Sequence, residues 1–410
     1  MTIIKNNNPS GYKSSPLGIV PEDWEVKRLG EVGSFSKGSG VPKDKIISEG
    51  HPCLTYGDLY TKYDFVIKDI KSFIDEETSK ESKEINAGDI CFAGSGETPE
   101  DIGKCAAYLE NCPAYAGGDI VILSPNNNIN SLWLSYFLNS DIGGKQRYKF
   151  AQGFSIVHIY PDNLKQIQIP VPPLPEQQRI VSVLSLWDAA IAKQTALIEQ
   201  LTLRKRGLMQ QLLTGKKRLK GFEGEWKRIK AGEIFKSISV KGNGSEVLLS
   251  ATQEHGVIPR DQLEGRVTMP TGDTNSFKLV EVGDFVISLR SFQGGLEYSE
   301  HRGIVSPAYT VLKPIVEIDK TFYRYYFKSA EFIGHLAIAV IGIRDGKQIS
   351  YDDFCFVKIP YPNIEEQKAI SSILLQVDKE IEIQKQKLSD LQEQKKGLMQ
   401  VLLTGKKRIK

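Results

Sequence analysis

"RGLMQQLLTGKKRLK" runs from Arg206 to Lys220, and "KGLMQVLLTGKKRIK" from Lys396 to Lys410. Between 204–220 and 394–410, thirteen of seventeen positions are identical at a constant offset of 190. The offset holds upstream, where Glu176-Gln177 answers Glu366-Gln367, Ile169-Pro170 answers Ile359-Pro360, and Tyr136-Phe137 answers Tyr326-Phe327. Further upstream it drifts: "WEVKRLGEV" from Trp24 answers "WKRIKAGEI" from Trp226, and "AGDICFAGS" around Gly88-Asp89 answers "VGDFVISLR" around Gly283-Asp284. A solenoid repeats every ~20–50 residues; this period is a domain plus a helix. The chain is a tandem of two halves, alike at their helical ends and divergent in their middles.

Each half closes on one predicted long helix. The first opens after "IPVPPLPEQQ", with Pro175 suited to the first turn and Glu176 favourable near the helix N-terminus. Apolar residues then recur at Ile180, Leu184, Trp187, Ile191, Ile198, Leu201, Leu208 and Leu212, spaced alternately by fours and threes once Gln194 and Lys205 fill the gaps. That is a heptad seam. The second helix repeats it from Ile370 through Gln384 and Lys395 to Leu402. Gly215 and Gly405 suit left-handed caps, with lysines beyond them to complement the helix C-terminus. At roughly 38 residues each helix is about 57 Å long, and the two are expected to pair antiparallel. Gln194 and Gln384, polar in the same seam position, are read as register devices.

The middles read as β-rich: "DICFA", "DIVILSP", "DFVISL" and "YTVLKP" are short apolar runs bounded by Gly, Asn and Pro. Short helices are expected over "SLWLSYFLNS" and "TFYRYYFKSAEF". The resulting plan is α+β: a tail at 1–19, a β-rich domain at 20–173, the central helix at 174–215, a linker at 216–224, a second β-rich domain at 225–362, the distal helix at 363–405 and a basic tail at 406–410.

Composition sets the class. A chain of 410 residues suits about two to four domains. There is no apolar run of ~20 residues for a membrane span, and "MTIIKNNNPSGYKSSPLG" lacks the apolar core of a signal peptide. Five cysteines without a CxxC point to reduced thiols and a cytoplasmic setting. The net charge of +3 is mild for a free-standing DNA-binding domain, so if DNA is the partner, other subunits supply much of the phosphate neutralisation.

Catalytic motifs are weak. "FAGSG", Phe92–Gly96, looks like the FxGxG loop that cradles S-adenosylmethionine, which leaves a stand-alone DNA methyltransferase as the alternative reading. The Asn/Asp-Pro-Pro-Tyr/Phe motif of such enzymes is missing from the sequence, so a glycine turn after a strand is preferred. "LTGKK" has no glycine at the position a phosphate-binding loop requires, and the five histidines show no metal-ligand spacing. What remains are polar, glycine-rich turns in the divergent middles: "FSKGSGVPK" (Lys37, Lys43), "LTYGDLYTKY" (Tyr56, Tyr60, Lys62), "SATQEHGVIPR" (Gln253, Arg260), "SLRSFQGG" (Arg290, Ser291, Gln293) and "GIRDGKQIS" (Arg344, Lys347). Arg suits guanine edges, Gln adenine edges, and Lys and Ser phosphates.

From about Gly18 to Lys410 the chain resembles the specificity subunits of type I restriction–modification systems. The likeness is carried by "IPVPPLPEQQRI" with its echo "IPYPNIEEQKAI", the doubled "GLMQxLLTGKKR", the Trp24 and Trp226 segments and the "GD" strands. It implies two target recognition domains on an antiparallel coiled coil, each binding one half of a split double-stranded DNA site. It implies no catalysis and no cofactor in this chain. The implied partners are two modification subunits, which use S-adenosylmethionine to methylate adenine, and two restriction subunits, which use ATP and Mg. Arg290 and Gln293 stand out, because "SLRSFQGG" with "GIVSPAY" looks like a stretch of some family recognition domains. Met209, Leu213, Met399 and Leu403 are apolar but lie off the seam. A two-helix pair would leave them uncovered, so each copy of the phrase is expected to carry part of the dock for one modification subunit, the alternative being that they pack under the chain's own recognition domain.

Overall fold

The computed structural model describes residues 9–99, 101–153, 156–263, 274–289, 291–339 and 349–409. The chain divides into two compact units, Met1–Gln194 with Lys387–Lys410, and Thr195–Gln386. Each unit is a β-rich domain with half of each of two 39-residue helices, the central one Leu174–Leu212 and the distal one Ile364–Leu402. Within each unit the helix halves run antiparallel. In the first, Asp188 meets Lys395 and Glu176 meets Arg408; in the second, Asp378 meets Lys205 and Glu366 meets Arg218.

The heptad stripe serves two purposes. In the second unit Leu201 packs on Val377 and Ile381, helix against helix. Nearer the helix starts the stripe leaves the pair and enters the domain cores: Ile180 and Leu184 in the first unit, Ile370 and Leu374 in the second. The seam lysines are explained by ion pairs. Lys395, 5% exposed, pairs with Asp188 and sits 3.9 Å over the Phe65 ring, while Tyr136 Oη donates to the same carboxylate. Burial pulls its pKa down, and Asp188 pulls it back up. Lys205 lies 2.5 Å from Asp378, which accepts from Tyr325 Oη at 2.6 Å.

Tyr325, not Tyr326, therefore answers Tyr136, a slip from the offset of 190. The aromatic helices Ser131–Leu138 and Lys320–Tyr326 start at Asn130 and Asp319, whose backbone N–H groups donate to Gln177 and Gln367 at 2.8 Å each. Those bonds fix both helices on the frame. The one extra residue of the second half falls downstream, before Ile359-Pro360.

The strands form where the short apolar runs predict them. In the first unit a five-stranded sheet has the order Gly33–Lys37, Ile120–Pro125, Ile90–Ala93, Cys105–Tyr108, Val66–Ile67. A four-stranded one has the order Phe73–Ile74, His51–Leu54, Ala114–Ala116, Lys83–Ile85. In the second unit the main sheet runs Phe235–Ile238, Thr310–Pro314, Phe285–Ile287, Glu297–Tyr298. The paired "GD" is turn chemistry. Gly88 and Gly283 take positive φ, and the next aspartate accepts the N–H three residues back, Asn86 to Asp89 and Glu281 to Asp284, at 2.8 Å each.

The doubled phrase is a lock. Its Leu-Leu enters the adjacent domain core: Leu212 and Leu213 in the second unit, Leu402 and Leu403 in the first. Thr214 and Thr404 hydroxyls close the last helical turn onto Gln210 and Gln400. Gly215 (φ 73°) and Gly405 (φ 72°) turn the chain, and Lys217 and Lys407 N–H groups reach back to Gln211 and Val401. The phrase then delivers an arginine. Arg408 makes two bonds to Glu176, at 2.6 and 2.7 Å, and two to Asp23, at 2.8 Å each. Trp24 Nε1 donates to Glu176 at 3.0 Å. Arg218 makes two 2.7 Å bonds to Glu366, which also accepts from Trp226 Nε1 at 2.9 Å. Each guanidinium also lies over its tryptophan ring.

One expectation is corrected by this lock, and the linker and tails gain a role. Leu213 and Leu403 are fully buried and Met399 nearly so, with Met209 packed against the second domain's core, because each β-rich domain folds over the helix ends. Leu213, Leu403 and Met399 are thus covered by the chain's own domains, and Met209 is half-buried. The linker at 216–224 carries Arg218 and the tail at 406–410 carries Arg408, so both contribute a residue to the lock. The tail at 1–19 contains the strand Tyr12–Ser15, paired with Gly18–Pro21, and Tyr12 Oη donates to Gly405 O at 3.0 Å.

Removing Arg218 leaves the fully buried Glu366 carboxylate without its cation, so Arg218→Ala is expected to cost about 3 kcal/mol. Glu366→Gln strands only a guanidinium that is 21% exposed and should cost less. Urea unfolding of both variants gives the order. At the caps, Gly405→Ala should destabilise more than Gly215→Ala. Both pay for the left-handed conformation, about 1 kcal/mol, but a Cβ on Gly405 would lie 2.4 Å from Pro21 Cδ, against 3.0 Å from the Trp226 ring for Gly215.

Candidate nucleic-acid interface

In the first unit the turn around Gly117 gathers two of the predicted segments. Gly117 N–H donates to Leu54 O at 2.9 Å, just before the Tyr56 helix, and Ser39 N–H donates to Ala116 O at 3.0 Å. Lys37 ends an edge strand and Lys43 opens a short 3-10 turn; both are exposed. Between them Val41, at φ 54°, turns inward onto Cys53 and Ile74 and anchors the loop.

The helix Tyr56–Thr61 starts with a capping box, in which Thr55 N–H and Oγ1 both donate to Asp58, at 2.8 and 2.9 Å. Asp58 also pairs with Lys62 at 2.6 Å. Tyr56 is 41% exposed. Tyr60 is not: its hydroxyl donates to Ser95 O at 3.0 Å, and burial pushes its pKa up to about 12. Of the two tyrosines, Tyr56 faces solvent and Tyr60 holds the helix down.

In the second unit the hairpin Leu249–Thr252 and Gly256–Pro259 presents Gln253 at its exposed turn. Thr252 Oγ1 braces the turn, accepting from His255 N–H and donating to Gly256 O at 3.0 Å each. Beside it the one-turn helix Ser291–Gly294 carries the exposed Gln293. A Cβ on Gly294 would lie 2.9 Å from the Gln253 side chain, so the two glutamine turns are in contact. Ser291 is corrected: it is 1% exposed, and its hydroxyl accepts from Ser288 N–H at 2.8 Å, so it shapes the turn. Arg260, half-buried, lies at the other end of the hairpin, where its N–H donates to Leu248 O, and is not brought to Gln253. Arg290, Arg344 and Lys347 lie outside the described residues.

The glycines of "FAGSG" are filled by the chain itself. Gly94 N–H donates to Asp119 O at 2.8 Å, and a Cβ there would sit 2.8 Å from that same oxygen. Ser95-Gly96 pairs with Val157-His158, and Gly96 lies under Tyr60 Oη. These residues are buried in sheet and leave no cradle for a nucleoside. Among the described residues no cluster of His, Cys, Asp or Glu could hold a metal. All five cysteines are free thiols.

Comparison with known proteins agrees with this geometry. Residues 21–203 and again 223–393 match the type I restriction modification DNA specificity domain. A Methanocaldococcus jannaschii protein, provisionally named the MjaX type I restriction enzyme specificity subunit, is 30% identical over 97% of both chains. The MjaVIII specificity subunit of the same organism is 28% identical over 95% of this chain and 94% of its own. Two solved structures share the fold. One is the S subunit of a type I restriction–modification system from M. genitalium (TM-score 0.54, 17% identity, 92% of this chain and 96% of that one). The other comes from a study of complex assembly and conformational transition of the type I R-M system (TM-score 0.62, 20% identity, 94% and 99%).

Two results are expected for "FAGSG". Calorimetric titration of the purified chain with S-adenosylmethionine should give no binding heat. Gly94→Ala should lower the melting temperature by several degrees, because its Cβ meets a backbone oxygen that cannot move aside. Stoichiometric cofactor binding by the chain alone would sink the turn reading.

Proposed function

We infer the role of this molecule from its membership: it belongs to the type I restriction–modification DNA specificity family. It is a DNA-recognition subunit and not itself an enzyme. We propose that each β-rich domain binds one half of a bipartite double-stranded target, and that the two long helices set the gap between the halves. Gln194 and Gln384 are the polar seam positions that would hold the helix register. The carrying observation is that one frame is built twice, with the same Glu-Trp-Arg lock in each unit, under surface turns that differ between the units. Duplicated support beneath dissimilar loops is what a reader of two different half-sites requires.

The contacts proposed for the first half-site come from Lys37, Lys43 and Tyr56, with Lys62 beside them. For the second they come from Gln253, Gln293 and Arg290, with Arg260, Arg344 and Lys347 as further basic groups. An amide bidentate to adenine or a guanidinium to guanine supplies ~1–3 kcal/mol of discrimination. The partners are the modification and restriction subunits, two of each in this proposal. S-adenosylmethionine would reside in the former, ATP and Mg in the latter, and the whole would act in the cytoplasm. The chain's small positive charge fits a complex in which other subunits share the phosphates.

Mapping methylated adenines in cells that express the chain with its modification subunit should return one split motif with a fixed gap; a continuous motif would overturn the bipartite reading. Four residues inserted after Gln194, with four in the middle of the distal helix, lengthen both helices by ~6 Å. At ~3.4 Å per base pair the gap should grow by about two base pairs. An unchanged gap with full activity would rule out the ruler.

A further inference from the structure

The aromatic helices end in residues of different type at the same place on the frame. Counted from the N-caps Asn130 and Asp319, Asn139 of the first domain answers Lys328 of the second. Neither belongs to the lock, to the seam or to the predicted contacts.

Lys328 Nζ donates to three acceptors: Gln253 O at 3.2 Å, Gly294 O at 3.0 Å and Glu297 Oε2 at 2.6 Å. An ammonium has three protons, so none is left for a phosphate. The acceptors lie on two segments, Gln253 on one, and Gly294 and Glu297, three residues apart, on the other. Gln253 is the hairpin turn, Gly294 closes the turn that carries Gln293, and Glu297 sits in the sheet opposite Val286. The Glu297 side chain is 1% exposed, so the ammonium is held by a carboxylate that cannot swing away. Gly295, at φ 76°, presses the second turn onto the end of the aromatic helix, where a Cβ would be 1.7 Å from Phe327 O.

Asn139 does the equivalent with an amide. Its two Nδ2 protons are shared among Cys105 O at 2.6 Å, Ser135 O at 3.0 Å and Asp64 O at 3.4 Å, and its Oδ1 accepts from Cys105 N–H at 3.2 Å. Asp64 ends the segment that carries Tyr56 and Lys62.

We propose that the residue closing the aromatic helix, Asn139 in the first domain and Lys328 in the second, is a positioning residue that fixes each domain's DNA-facing segments to the shared frame and thereby sets the sharpness of base discrimination. The proposal rests on the DNA-reading role given above. Lys328 touches no base in this account; it holds Gln253 and Gln293 as one edge, whose relative placement decides which bases both amides reach together.

The test uses the full chain assembled with its modification subunits and a panel of duplexes, each with one base changed in the mapped target. Lys328→Met combined with Glu297→Met removes both charges and keeps apolar bulk, a swap that preserves stability when an ion pair is only structural. The melting temperature should stay within a few degrees of the parent. Discrimination should fall about tenfold at positions of one half-site and stay unchanged in the other. Parental discrimination in both half-sites would overturn the proposal.

If that pair of substitutions fails to fold, Lys328→Arg takes its place. It keeps the charge opposite Glu297, but a planar fork does not reach the same three acceptors, so the same half-site should blur at an unchanged melting temperature; parental discrimination would again overturn the proposal. Gln253→Ala and Gln293→Ala separate the two layers of argument. If neither alters discrimination, the DNA-reading role of these turns fails, and this proposal with it. If they alter it while the Lys328 variants do not, only the positioning role fails.

Discussion

A buried carboxylate needs a cation and donors, and the fold is organised around two of them. Glu176 and Glu366 each stand in the first turn of a long helix, and each is satisfied by an indole N–H from its own β-rich domain and a guanidinium from just beyond the end of the other helix. In the first unit three pieces far apart in sequence, Trp24, Glu176 and Arg408, must therefore meet before the charge is stable; in the second, the neighbouring Arg218 and Trp226 must meet the distant Glu366. This requirement fixes where each helix stops and where each domain sits on its helices. Glycine follows as a second-order demand, since the chain must reverse within one residue beside an indole ring to aim the arginine.

The same economy appears along the helices. A continuous heptad stripe looks like a coiled coil and nothing else, yet its residues have two destinations. Leu201, Val377 and Ile381 meet helix to helix, whereas Ile180, Leu184, Ile370 and Leu374 are roofed by sheet and aromatic helix. The off-seam Leu213 and Leu403 are apolar for the second reason. A heptad count cannot tell such residues from a vacant docking surface, because it does not register a lid drawn from a distant part of the chain, which for Leu403 runs from Trp24 to Leu184. Lys205 and Lys395 break the apolar rule at sites where Asp and Tyr wait opposite.

Much of the architecture was legible because it is local or repeated. Heptad spacing, helix-stop glycines, β-runs after "GD" and the constant offset all leave marks in the string. The site was legible only in part. Turn composition pointed to the segments with Gln253 and Gln293, which do come together, but it could not separate Tyr56 from Tyr60 or see that Ser291 turns inward. Those outcomes depend on single hydrogen bonds across the fold, such as Tyr60 Oη to Ser95 O. Lys328 and Asn139 were invisible for a different reason. They share a position but no chemistry, and the one-residue slip hides their equivalence from any fixed offset.

The two units also differ in how the chain supplies them. The second is one uninterrupted stretch, Thr195–Gln386, while the first draws on Met1–Gln194 and then on Lys387–Lys410. During synthesis the second unit has all its parts as soon as it emerges. The first must wait for Leu402, Leu403 and Arg408, with Trp24 and the sockets for those leucines still unfilled. At ~5–20 residues per second, the wait is roughly ten to forty seconds. For that interval the nascent first domain exposes apolar surface and an unpaired Glu176, which makes it the part of the molecule most dependent on chaperones and most open to trapping by a neighbouring chain that offers the same closing phrase.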